Sequence, residues 1–426
     1  MRGWRFVVGM AVLVAITGVW VAATTATVRR SERRPDVIQW PDSRFPTVQS
    51  AIDALPDGGT LRFPDGVVSV DEPLFVRGKR IVIEGQGCDE LPANPKKPGQ
   101  AGSTHLVGPR VAGVTDFSSA RAAINFESAG PETPVGGGTI RKLKVSGFDA
   151  GIRGAAGDDA SPGGGVLLED ACITDTGRGI AWSLPASLSV KNVLIRDVAW
   201  NGVSISVAAG LAAAFVHFAG VTVVNAANAC VFYHNVQAVI VGGLFNFCGS
   251  GGTIVAVNSN LFIAETSIIG SHGPGIAISG GSAFIKETFV NEATGFGILL
   301  HNVVHGDVED VHIKNTKAFA AGPQAGLYGD AVTVVGGTSN GMVWVTDSFI
   351  ENAPHSGVAN YGAFVSVGDL KIQCALFHLE GEVLEGKNFS YTDLGGMKCG
   401  CPTANGTCTA VSGSGLQPPA MVVPIP

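Results

Sequence analysis

Four carboxylates recur at matching places in this chain: Glu265, Glu287, Asp310 and Asp347. Each opens a short segment that is apolar three residues on, and in most copies of the pattern along the chain the position one residue on is apolar too. Positions two and four residues on face the other way. They carry Ser267, then Phe289 and Asn291, then His312 and Lys314, then Phe349 and Glu351. One surface would therefore collect carboxylates, an imidazole and an ammonium group. That mix supplies an acid, a base and a cation, which is what cleavage or epimerisation of an acidic sugar requires. Glu287, Asp310, His312 and Lys314 form the candidate catalytic set, and Glu265, Asn291, His301 and Asp347 the candidate substrate contacts. If the carboxylates stack near the strand spacing, two unit charges about 5 Å apart repel by roughly 0.8 kcal/mol in water and roughly 3 kcal/mol at an effective dielectric of 20. An exposed ladder tolerates this. A half-buried one would want a shared proton or a cation, and carboxylate columns offer hard oxygen donors for calcium. No Asp-x-Asp-type loop supports calcium, so no resident cofactor is expected and the metal ligands stay undefined. The competing structural reading is that acidic residues open strands for turn reasons, with Lys314 simply paired to Glu351. His234 and His301 fall in a second column three coils apart, roughly 14 Å at the strand spacing, too far for one proton relay.

The elements that must position these residues are short strands in a repeat. A glycine followed by a β-branched residue, or a near relative, recurs at Gly151, Gly179, Gly202, Cys230, Gly252, Gly275, Gly297 and Gly357. Successive steps are 22 to 28 residues until a longer gap with an insertion around 318–328. Periods of this size signal solenoids. A strand segment precedes each pair, as at Asp170 to Asp175 and Asn192 to Asp197, and its last position is a column of Asp, Asn and Gly suited to an awkward turn. Two to three strands per coil without intervening helices means stacked parallel sheets, each coil burying its core against its neighbours. Upstream, Thr47 to Leu55 reads as a short helix, with Val48, Ala51, Ile52 and Leu55 on one face. Strands are expected at 60–63, 74–76 and 80–83.

The segment from Thr47 to Thr60 (TVQSAIDALPDGGT), then Phe63-Pro64-Asp65-Gly66, Ile83-Glu84-Gly85-Gln86-Gly87 and the repeats, resembles the right-handed parallel β-helix of the pectate-lyase-like superfamily. The resemblance implies an all-β solenoid with a short N-terminal capping helix, and a polysaccharide bound along the outer face of one sheet. It implies a β-helix over 45–385 (N-terminal cap 45–135, regular coils 136–385) and an irregular Cys/Gly/Pro-rich tail over 386–426. The reaction signatures of the superfamily are missing. There is no Trp-x-Asp-His phrase, no Asp-Pro-His-Asp phrase, and no carboxylate pair before Ser271-His272-Gly273, although hydrolysis needs two carboxylates. Asp158-Asp159 is a pair in a distant Gly-rich loop.

Composition narrows the class. The chain has 426 residues, 59 of them glycine, with 15% charged and 46% hydrophobic. That is too apolar for disorder, and the glycines lack the three-residue period of collagen. A net charge of −7 argues against nucleic acid as partner. Arg2 and Arg5 precede an uncharged stretch over 6–26, so 1–28 reads as an export signal or a retained N-terminal membrane anchor, with a linker over 29–44. Arg29, Arg30, Arg33 and Arg34 just beyond it favour export over an anchor with a cytoplasmic N-terminus. Eight cysteines suit an oxidising compartment. A disulfide among Cys399, Cys401 and Cys408 would pin the tail, whereas Cys172, Cys230 and Cys248 read as buried thiols. Asn388 and Asn405 sit in glycosylation sequons. Two functions follow: an exported β-helix acting on an acidic glycan as lyase, hydrolase or epimerase, or a non-catalytic surface or envelope β-helix that binds glycan or protein.

Overall fold

A computed structural model describes residues 36–91, 102–109, 121–128, 135–155, 164–208, 211, 214–320, 325–336 and 341–412. The expected export segment, its flanking arginines, the Asp158-Asp159 pair and the last residues of the tail lie outside the described residues. Among those described, no helix is long and apolar enough to cross a membrane.

The described chain is all-β apart from one short helix, and its strands pair in parallel throughout, coil on coil. Each full coil contributes to three ladders. The first runs from Val37–Gln39 through Thr60–Arg62 and Arg80–Glu84 to Ser390–Asp393. The second runs from Gly66–Ser69 to Lys398–Gly400. The third runs from Leu74–Arg77 to Ala410–Val411. This is a parallel β-helix, and parallel crossovers of this kind wind right-handed almost without exception. The expected strands at 60–63, 74–76 and 80–83 are present. The helix spans Val48–Ala54, with Thr47 and Ser50 forming a capping box and Val48, Ala51 and Ile52 buried in the core.

The interior is a set of apolar columns. In the third ladder Ile276, Ile298, Val332 and Val358 stack in register, and all are at most 1% exposed. In the second, Ile268, Val290, Ile313, Ile350 and Ile372 do the same. The glycine ahead of Ile276, Ile298 and Val358 has a steric reason. A Cβ on Gly297 would come within 2.6 Å of the Ala331 carbonyl and of the Ile313 side chain. One copy sits a residue later than the repeat spacing suggests: Val231 pairs with Ile254, so Thr253-Ile254, and not Gly252-Thr253, is the matching pair.

The corners explain the polar columns. Glu265, Glu287, Asp310 and Asp347 have φ of 50°, 47°, 53° and 52°. They are left-handed corner residues between the first and second ladders, and the strands begin two residues later, at Ser267, Phe289, His312 and Phe349. The column that closes each strand is left-handed too, with φ of 67° at Gly270, 60° at Glu292, 52° at Asn315 and 55° at Asn352. Asn and Asp tolerate this region better than other non-glycine residues. The asparagines also bond from coil to coil: Asn352 donates to Asn315 and Asn315 to Asn291, each at 3.0 Å.

Two sequence expectations change. Cys172, Cys230 and Cys248 are not thiols: Cys88 is bonded to Cys172 and Cys230 to Cys248, while Cys374–Cys401 and Cys399–Cys408 hold the tail. Partners that adjacent coils bring together can be far apart in sequence, 84 residues in the case of Cys88–Cys172. The ladders also continue past 385 into the cysteine-rich segment, because Ser390–Asp393, Lys398–Gly400 and Ala410–Val411 each add a strand. Four disulfides mark a chain made in an oxidising environment.

Candidate functional site

The second ladder carries Asn291, His312 and Lys314 on its outer face. Its three-residue strands bury the central side chain and turn the flanking two outward, as in His312–Lys314 and Phe349–Glu351. Register stacks Ser267, Phe289, His312, Phe349, Lys371 and Lys398 into one stripe along the solenoid axis. A parallel stripe holds Asn291, Lys314, Glu351 and Gln373.

Ring contacts fix the first stripe. The His312 imidazole lies stacked 4.9 Å from Phe349 and edge-on 5.4 Å from Phe289. Lys314 Nζ sits 5.2 Å from the Phe289 centroid, within cation–π range. His312 Nε2 is 3.6 Å from Glu351 Oε2, so Lys314 is not the group that faces Glu351 most closely. Coils about 4.8 Å apart thus present an aromatic, imidazole and ammonium track. Aromatic faces suit the C–H face of a sugar ring, and ammonium groups suit its carboxylate.

Glu287 and Asp310 sit beside this track at the exposed corner, and Glu265 and Asp347 continue their column. Lys286 Nζ is 3.7 Å from Glu287 Oε1. The structure therefore gathers Asn291, His312 and Lys314 on one face with Glu287 and Asp310 at its edge. It does not bring His301 to them. His301 ends a strand of the third ladder, where its Nδ1 is 3.3 Å from Ser279 Oγ, and burial lowers its pKa. His234 stands in the same column, 3.2 Å from Ser206 Oγ.

A second aromatic group occupies the first ladder. His305 lies between Phe284 and Trp344, 4.9 and 5.0 Å from their centroids.

One cluster was not foreseen. Asp330, His355 and Glu380 come from three consecutive coils of the third ladder, and both carboxylates are fully buried. His355 Nδ1 lies 2.6 Å from Asp330 Oδ1 and 3.4 Å from Glu380 Oε2. Thr333 donates to Asp330 Oδ2 at 2.9 Å, the Ser356 amide to Asp330 Oδ1 at 3.0 Å, and the Ser356 hydroxyl to Glu380 Oε2 at 2.5 Å. Burial pulls the His355 pKa down, but the bond to Asp330 and the two negative charges outweigh it and leave it raised. Burial, then Glu380 and Asp330, push the Tyr391 phenol up. Tyr391 donates to the Glu380 carbonyl at 2.6 Å and the Val358 carbonyl at 2.9 Å. Among the described residues this is the one group of three His, Cys, Asp or Glu side chains able to share a metal ion. The three residues come from successive coils but from different columns of the repeat, so no column in the sequence reveals them.

No protein-family model matches the chain, and no curated protein matches it. Solved structures are remotely similar. The catalytic domain of an α-1,3-glucanase in complex with tetrasaccharides is 13% identical, with a TM-score of 0.45, over 91% of this chain and 70% of that one. The A-module of a mannuronan C-5 epimerase from Azotobacter vinelandii is 17% identical, with a TM-score of 0.40, over 84% and 95%. An alginate lyase from Paenibacillus is 12% identical, with a TM-score of 0.39, over 82% and 95%.

Proposed function

We propose that the chain is an exported β-helix protein that acts on an acidic polysaccharide lying along the outer face of its second ladder. The observation that carries this reading is the axial stripe Phe289, His312, Phe349, Lys371 and Lys398, one residue per coil. Phe289 and Phe349 offer ring faces to pyranose units. Lys314, Lys371 and Lys398 pair with uronate carboxylates. His312, next to Glu351, is positioned for proton transfer, and Glu287 and Asp310 flank it as the carboxylates a hydrolase or lyase would use. Asn291, Glu265 and Asp347 contact the chain on either side, while His301 lies outside this track. Residues 1–28 direct export, and the helix Val48–Ala54 caps the N-terminal end of the solenoid. Calcium has a place only where the exposed carboxylate column meets a uronate.

The full chain, incubated with pectate, alginate and glycosaminoglycans with and without calcium, tests this reading. A rise in unsaturated-product absorbance together with reducing ends identifies a lyase. Reducing ends alone identify a hydrolase. Retention on an immobilised acidic glycan without either signal identifies an epimerase if proton NMR of the recovered glycan shows a changed uronate composition, and a binder if it does not. No product and no retention on any of them sinks the proposal. The remaining reading would then be protein binding through the first ladder, which the exposed side chains of Met342 and Phe364 beside Trp344 favour, at 48% and 53% exposure.

A further inference from the structure

The Asp330–His355–Glu380 cluster has a charge that its surroundings do not balance. Both carboxylates are fully buried. Among the described residues, His355 is the one cation within ion-pair distance of either. Two carboxylates and one imidazolium still leave one net negative charge in the protein interior. An uncompensated buried charge costs several kcal/mol. Glu380 Oε1 sharpens the point, because it is buried and has no hydrogen-bond partner, whereas Oε2 of the same carboxylate accepts from Ser356. Buried carboxylate oxygens are rarely left so.

A divalent cation resolves both features. With a neutral imidazole, two carboxylates and one divalent ion sum to zero, and Glu380 Oε1 gains a partner. We propose that Asp330, His355 and Glu380 form a zinc-class metal site joining three consecutive coils, independent of the glycan track on the second ladder. Oδ1 of Asp330, Nδ1 of His355 and a carboxylate oxygen of Glu380 are the protein donors. All three lie within 4.8 Å of one another. Zinc–ligand distances of about 2.0–2.2 Å place tetrahedral donors roughly 3.3 Å apart. The 3.4 Å between Nδ1 and Glu380 Oε2 already matches, and the 2.6 Å to Asp330 Oδ1 needs only modest opening. Second contacts hold the donors in place, as metal sites require: Thr333 and the Ser356 amide on Asp330, and Tyr391 on the Glu380 carbonyl. Glu380 Oε1, the unpartnered oxygen, completes the coordination beside Oε2. An imidazole donor and a close three-donor cluster do not suit calcium, which takes six to eight oxygens at longer distances.

The test uses the full chain. It is stripped with a chelator, dialysed against zinc, freed of excess metal and analysed for metal content, beside Glu380→Gln. The wild type is expected to retain about one zinc per chain. Its Tm should rise on zinc addition and keep rising with each tenfold increase in free metal, as binding to the folded state alone requires. Glu380→Gln should retain less than a tenth as much and show no zinc-dependent Tm. Cobalt loading of the wild type gives a readout that does not depend on the variant folding. The intense visible bands of tetrahedral cobalt are expected, and the weak spectrum of octahedral cobalt overturns the site. Absence of retained zinc in the wild type, or equal retention in Glu380→Gln, also overturns it. So does a metal-free wild type as stable as Glu380→Gln, because the cluster would then hold a proton in place of the uncompensated charge.

Discussion

Glu287 is asked to serve two masters, a left-handed corner and a glycan track, and replacing it separates them. Its φ is 47°, a region that costs a residue with a Cβ about 1–2 kcal/mol. Glycine removes that strain and returns about 0.5–1 kcal/mol of it through the more flexible unfolded chain. Charge acts as well. Glu265 and Asp310 stand in the same column about 4.8 Å away on either side, and each repels Glu287 by about 0.9 kcal/mol in water. Against this, the exposed contact with Lys286 at 3.7 Å contributes no more than about 1 kcal/mol. Glu287→Gly should therefore stabilise the fold by about 1 kcal/mol. Glu287→Ala keeps the Cβ and its strain, and should be about 1 kcal/mol less stable than Glu287→Gly. Urea unfolding midpoints of the three proteins provide the comparison. Should Glu287→Gly prove less stable than Glu287→Ala, the corner-strain account is wrong. Turnover of an acidic glycan reads the second role: the proposed function requires it to fall in both variants, whichever way stability moves.

Other outcomes follow from the same structure. Phe349→Ala removes a stacking face worth about 0.5–1.5 kcal/mol, so affinity for an acidic glycan should drop roughly two- to tenfold by titration; unchanged affinity would remove Phe349 from the track. Lys371→Ala together with Lys398→Ala should flatten the salt dependence of that binding, and a slope equal to the wild type's would show that the two ammonium groups do not meet the ligand. Replacing Cys88 and Cys172 by serine opens an 84-residue loop, for which chain entropy gives a loss of up to about 4.6 kcal/mol, read as a lower unfolding midpoint under non-reducing conditions. Burial lowers the pKa of His301, and burial with Lys144 lowers that of His105. A base with a depressed folded pKa leaves stability intact above its unfolded value of about 6.5 and weakens the fold as pH drops below it. Stability measured from pH 7 to pH 5 should fall less steeply in His301→Gln than in the wild type.

The solenoid was legible because its columns are. An Ile or Val at one place per coil and an Asp, Asn or Gly at the next corner survive in sequence even where nothing else repeats. Strand starts were less legible. Glu265, Glu287, Asp310 and Asp347 look like first strand residues, since the small side chain after each (Thr266, Thr288, Val311 and Ser348) is buried. That side chain fills the corner, and only the backbone dihedral tells the two cases apart. Cysteine pairing was hidden because it depends on which coils stack, as with Cys88 and Cys172. The Asp330–His355–Glu380 cluster was hidden because its members fall in different columns of the repeat. His355 precedes its strand, and Glu380 lies inside the next one. The extension beyond 385 was masked by composition, because strands clamped by Cys374–Cys401 and Cys399–Cys408 do not need the apolar alternation that marks the others.

The coil period also sets how the chain would behave under mechanical load. Each coil pairs only with its neighbours, so a pull on the C-terminal end peels one coil at a time. A coil of 22 residues, such as Ile276 to Ile298, releases about 75 Å of contour at roughly 3.4 Å per residue. Disulfides cut into that length. Cys230–Cys248 locks 18 residues of its coil, and Cys88–Cys172 withholds the 84 residues it spans. A force–extension trace should therefore show a sawtooth with short teeth where Cys374–Cys401 and Cys230–Cys248 lock their coils, and should stop well before the full contour length unless a reductant is present.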